Sequence, residues 1–96
     1  MPVAHLTLEL RMEGAHSLKD KRQVVRSLKD RLRARFNVAV AELEATDLWQ
    51  RATLGVVSIS DSRDYLDGLM KQVDSAASRL AGQLGAEITD SYYEIL

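Results

Sequence analysis

Lys19, Arg22, Arg26, Lys29 and Arg33 recur at intervals of 3, 4, 3 and 4 residues. On a helix turning by about 100° per residue, that spacing gathers all five cations within an arc of roughly 80°. A line of ammonium and guanidinium groups is suited to a polyanion, because each neutralised phosphate releases condensed counterions and Arg grips phosphate oxygens in pairs. Like charges so spaced repel one another by roughly a few tenths of a kcal/mol per pair, so local helix stability does not explain the ridge. Three readings are open: a solvated face that keeps a small protein dissolved, a contact for structured RNA or a ribosomal particle, and a contact for an acidic protein partner.

The net charge of −1 conceals this ridge. Between Ser17 and Phe36 stand eight basic and two acidic residues, a local balance of +6, while the rest of the chain carries −7. The total argues against indiscriminate binding to polyanions, and the asymmetry says where a phosphate backbone would lie.

Other chemistry is sparse. There is no cysteine, so disulfides, thiolate metal sites and cysteine nucleophiles are absent, and only His5 and His16 supply imidazole. The chain has no phosphate-binding glycine loop, no His-x-x-x-His or Glu-x-x-His pair and no Gly-x-Ser-x-Gly elbow, so no catalytic residue, metal site or cofactor is assigned. His16, beside Ser17 and Lys19 at a helix start, fits either an anion contact or a simple cap. Glu42, Glu44 and Asp47 fit a solvated hairpin rim better than a cation site.

A chain of 96 residues with 46% hydrophobic and 28% charged residues has the size and composition of one globular domain, spanning residues 1–96. No apolar run approaches the roughly 18 residues of a membrane span, and Met-Pro-Val-Ala-His lacks the layout of a signal peptide. The expected setting is the cytoplasm, with no membrane partner.

The elements that must position the ridge follow from periodicity. From Val3 to Met12 apolar and polar residues alternate strictly, which predicts a half-buried strand. Ser17 followed by Asp20 resembles a capping box with Asp in place of Glu, and predicts a helix from Leu18 to about Phe36 with Leu18, Val25, Leu28, Leu32 and Phe36 on its apolar side. The ridge then lies roughly 110° round from that stripe and stays solvated. Val38–Glu44 and Arg51–Ile59 read as a hairpin joined through residues 45–50. Asp61 or Ser62 caps a second helix with a stripe from Leu66 to Leu84, Gly85 suits the left-handed position after it, and Ala86–Leu96 is a last strand. The order βαββαβ predicts an α+β, ferredoxin-like sandwich: a four-stranded, mostly antiparallel sheet with two helices on one face.

Ser17-Leu18-Lys19-Asp20-Lys21-Arg22, the run from Arg31 to Glu42, Asp47-Leu48-Trp49-Gln50-Arg51-Ala52 and Leu54-Gly55 together resemble the YlxP-like family, a small bacterial family of unknown function (domain of unknown function 503). The resemblance covers nearly the whole chain, with Asp20 standing where Glu is common. It implies a ferredoxin-like fold, a cytoplasmic bacterial protein and gene neighbours among translation and ribosome-maturation factors. It carries no established activity and no assigned catalytic residues.

If Leu6, Leu8 and Leu10 face the helices, His5, Thr7, Glu9 and Arg11 face the open side of the sheet. Neither the first strand nor Arg51–Ser58 carries the aromatic pattern that an RRM uses to stack bases, so that mode is disfavoured. If Glu42 and Glu44 face solvent and Glu44 pairs near Arg51, Val38 and Val40 join Val57 and Ile59 on this face, polar at one end and apolar at the other. A second copy of the chain is the simplest cover for such a patch, with the chain's own termini and plain exposure as alternatives. Trp49 is either a lid on the core rim or an interface anchor. Lys21 and Arg35 fall near the apolar stripe, where they either snorkel past the sheet edge or pair with Glu42, Glu44 or Glu94. The leading expectation is a binding protein, not an enzyme, that meets structured RNA or a ribosomal particle through the ridge. The alternatives are a homodimeric protein-interaction module using the open face, or a small-ligand regulatory domain.

Overall fold

The alternation at the start of the chain forms strand β1 (Val3–Arg11), whose Ala4, Leu6, Leu8 and Leu10 are buried under the helices. The computed structural model describes residues 1–44 and 48–96. Around β1 follow α1 (Leu18–Arg35), β2 (Ala39–Leu43), β3 (Arg51–Ile59), α2 (Arg63–Gln83) and β4 (Glu87–Ile95). The sheet order is β2-β3-β1-β4 and every pairing is antiparallel, so the expected ferredoxin-like sandwich is the observed one. The central strands β1 and β3 place Leu6 opposite Val56 and Leu8 opposite Leu54, all fully buried. Burying these against Leu28, Leu32, Leu66, Met70 and Val73 forms the core.

Both helices start where their caps dictate. Ser17 Oγ accepts from the Asp20 amide at 3.1 Å, and the Asp20 carboxylate accepts from the His16 amide at 3.0 Å. Asp thus completes the reciprocal box from one residue beyond the usual reach, on the amide before the cap instead of the cap's own. Ser62 caps α2 by accepting from the Tyr65 amide at 3.1 Å. Gly85, at φ 77°, ends α2: its N–H donates to the Gly82 carbonyl and that of Ala86 to the Ala81 carbonyl, a Schellman closure.

Two irregularities set which residues face where. Between Glu9 and Leu10 the pairing with β4 shifts, so Thr89 is the extra residue of a bulge. Ile88 on one side of it and Tyr93 and Ile95 on the other all reach the core despite their conflicting parity. At β2, the Val38 amide donates to the Phe36 carbonyl at 2.9 Å and Glu44 takes a positive φ of 50°, so the strand is shorter at each end than periodicity predicts. Residues 45–47 of the expected hairpin connection, Asp47 among them, lie outside the described residues.

Candidate nucleic-acid interface

The buried side of α1 consists of Lys21, Val25, Leu28 and Leu32, and the flank toward α2 is fixed by Arg31, which donates to Gln83 Oε1 at 3.2 Å. Lys19, Arg22, Arg26, Lys29 and Arg33 occupy the opposite flank. Because β2 is the edge strand on α1's side of the sheet, the ridge runs along that free edge. Its length from Lys19 to Arg33 is roughly 21 Å at 1.5 Å per residue. Lys29 is half-buried and the other four cations are exposed. Arg33 pairs with Asp30; among the described residues Lys19, Arg22, Arg26 and Lys29 have no ion-pair partner. The surface therefore offers at least four uncompensated charges in one line, a geometry suited to successive phosphates.

Lys21 departs from this flank. Its side chain is only 4% exposed and its ammonium lies 3.5 Å from Glu42 Oε2, with Glu42 25% exposed. Pairing with Glu42, one of the two open readings of this lysine, is the observed one. It reverses the facing expected for β2. Ala39 lies opposite Val57 and Glu42 opposite Leu54, so the register is one residue from the one that would have turned the carboxylates outward. Val40 is accordingly buried at 8% exposure, which corrects its expected place on the open face, whereas the half-buried Val38 packs against the core and still borders the apolar hollow that Val57 and Ile59 line. Ala39, Ala41 and Leu43 stand there instead. Leu43 lies across Gly55, where an added Cβ would meet its side chain at 3.0 Å.

Across the open face the strands align in rows. The first holds Leu96, Val3 and Ile59, and the next Glu94, His5, Val57 and Ala39. Tyr92, Thr7, Gly55 and Ala41 follow, then Asp90, Glu9, Thr53 and Leu43. At the far end Arg11 holds Glu87 at 2.8 Å, beside Arg51. Val57 and Ile59 are exposed at 39% and 58%, so one end is apolar and the other charged. Trp49 is 49% exposed. One aromatic, Tyr92, lies on this face, on the edge strand and not on the central pair that an RRM uses.

The shifted ionisable groups lie elsewhere. The Asp67 carboxylate accepts from the Tyr93 hydroxyl and sits 3.0 Å from the Lys71 ammonium. The tyrosine hydrogen bond first, and the lysine second, hold Asp67 below the ordinary carboxylate range. Hydrogen bonding to Asp67 raises Lys71, and the same carboxylate, aided by desolvation, raises Tyr93. This is a clip between α2 and β4. Among the described residues no group of three or more His, Asp or Glu is placed to hold a metal ion, and no helix is long and apolar enough to cross a membrane.

Residues 3–93 match a protein family described as a protein of unknown function, DUF503. The chain belongs to this family. The DUF503 chain is 41% identical over 59 residues to the uncharacterized protein YlxP of Bacillus subtilis, a match covering 62% of this chain and 64% of the relative, less than two thirds of its length. Among solved structures, it resembles part of a tripeptidase from Staphylococcus aureus, at a TM-score of 0.56 and 10% identity over 99% of this chain and 29% of that one. A de novo designed protein with a ferredoxin fold aligns at 0.53 and 10% identity, over 100% of this chain and 84% of the design. A C-terminal segment of the alpha subunit of aIF2 from Pyrococcus abyssi aligns at 0.52 and 11% identity, over 100% of this chain and 51% of that one. At such identities these likenesses show the fold alone.

Proposed function

We propose that this DUF503 chain is a binding protein that lays the basic ridge of α1 along the phosphate backbone of structured RNA, free or within a ribosomal particle. The observation that carries the reading is the line of Lys19, Arg22, Arg26 and Lys29, set on the flank away from α2 with no carboxylate paired to them among the described residues. A helix face needed only for solubility would gain stability from interleaved acids at i+3 and i+4, and Asp30 alone serves that role. Recognition by backbone and shape fits a sheet whose central strands carry no stacking aromatics. Affinity capture from cell lysate, with and without ribonuclease and at two salt concentrations, tests it. Ribosomal RNA should co-purify at low salt and be lost at high salt; a ribonuclease-resistant protein partner with no RNA would contradict it.

A second reading rests on a different observation, the exposed apolar end of the open face at Ile59, Val57 and Leu96. There we infer a two-fold contact with a second copy of the chain. Sedimentation should show a dimer that Val57→Glu with Ile59→Glu converts to a monomer, and a native monomer would overturn it.

A further inference from the structure

A groove separate from the ridge runs between the end of α1 and the outward face of α2. It is an open depression of about 500 Å³ lined by Arg35 of α1 and by Lys71, Gln72, Ser75 and Arg79 of α2. Arg35, Phe36 and Gln72 also border a continuation of about 460 Å³ that holds Gly68, Tyr65 and Asp64, so these three are shared, while Arg79 and Ser75 belong to the first space alone and Tyr65 and Asp64 to the second. The concavity comes from small residues: Gly68 and Ala76 flank Gln72 at helical spacing, and a Cβ on Gly68 would meet nothing within 4 Å.

The two ends differ in chemistry. Among the described residues no carboxylate lines the space that holds Arg79, and neither arginine has an ion-pair partner, while Lys71, which also lines it, is held by Asp67. Two arginines from different helices thus line one depression together with an amide and a hydroxyl, a set that matches the oxygens of a phosphate group. The other end offers the half-buried ring of Phe36 and the ring of Tyr65, exposed at 52%, beside open space above Gly68. Aromatic rings in the depression that adjoins a phosphate site suit a stacked base. Asp64 at this end repels phosphate and accepts hydrogen bonds from amino or hydroxyl groups, which fixes the direction of the ligand.

We propose that the groove binds a nucleotide, with its phosphates between Arg35 and Arg79 and its base toward Phe36 and Tyr65. The nucleotide is either free or one unit of a single strand. The site does not rest on the ridge, which lies on the other flank of α1.

Chemical-shift titration of the full chain with ADP, pyrophosphate, adenosine and a single-stranded RNA tetranucleotide tests the proposal. ADP should move the backbone signals of Gly68, Gln72, Ser75 and Arg79. Arg79→Ala should weaken ADP by about tenfold or more. Gly68→Leu, which improves the helix while filling the base end, should weaken ADP and adenosine similarly and leave pyrophosphate unchanged. Tetranucleotide binding at least about tenfold tighter than ADP assigns the site to a strand, and the reverse order assigns it to a free nucleotide. Reversing Arg22, Arg26 and Arg33 to Glu should leave ADP binding intact, which separates this site from the ridge. Absence of groove shifts with both ADP and the tetranucleotide, or affinities that ignore Arg79→Ala and Gly68→Leu, would overturn it.

Discussion

The Lys21–Glu42 pair gives a prediction in which the two partners are not equivalent. The lysine side chain is 4% exposed and the glutamate 25%, so the ammonium depends on its carboxylate more than the carboxylate depends on it. Glu42→Leu leaves a buried cation without this counter-charge, at a cost of about 3 kcal/mol. Lys21→Met fills the same space with a flexible apolar chain, and Glu42 can turn toward water, which limits the cost to about 1 kcal/mol. For a domain near this size, about 1 kcal/mol shifts Tm by roughly 4–8 °C. Glu42→Leu should therefore lower Tm by on the order of 15 °C, and Lys21→Met by roughly 5 °C. The double variant should recover to within about 1 kcal/mol of the native chain, because an apolar pair replaces a desolvated ionic one. Thermal and urea unfolding of the four proteins, combined as a double-mutant cycle, measure this. Equal losses for the two single variants, or simple additivity in the double, would refute the account of β2's register and burial.

Tyr93→Phe removes the first cause of the lowered Asp67 and the raised Tyr93. Asp67's contribution is present above the unfolded carboxylate pKa of about 4 and is lost as pH falls through its lower folded value. That of Tyr93 is present below about 10 and is lost as pH rises through its higher folded value. Urea midpoints of the variant should accordingly fall less steeply than those of the native chain at both extremes. Gly85→Ala places an L side chain at φ 77° and should cost about 1 kcal/mol, read as a Tm loss of roughly 4–8 °C. Gly55→Ala presses on Leu43, whose open-face side chain can rotate away, so unfolding should change by less than about 1 kcal/mol.

Much of the architecture was legible because local signals agreed. The alternation of β1, the Ser17 and Ser62 caps, and Gly85 after α2 each predict a boundary by a mechanism that operates within a few residues. The ridge was legible for the same reason, since a 3,4 spacing becomes one flank of a helix as soon as the helix is known. The facing of β2 was not. A two-residue period gives its pattern but not its phase, and the observed phase is the one that buries Val40 and brings Glu42 to Lys21, distant in sequence. The Thr89 bulge was hidden likewise, because Ile88 and Tyr93 conflict in parity only once their common face is known. The groove escaped for a third reason. Arg35 and Arg79 are 44 positions apart, and only the antiparallel packing of the helices brings them to line one space.

The central claim, that the α1 ridge meets a phosphate backbone, is tested most directly by the salt dependence of affinity for a folded ribosomal RNA fragment. Four unpaired cations that each neutralise a phosphate predict a slope of log affinity against log salt of about −3.6, a loss of about two orders of magnitude between roughly 50 and 200 mM. Reversing Arg22, Arg26 and Arg33 to Glu should abolish most of that slope together with the binding. Affinity that is indifferent to salt, or a slope unchanged by the reversal, would contradict it.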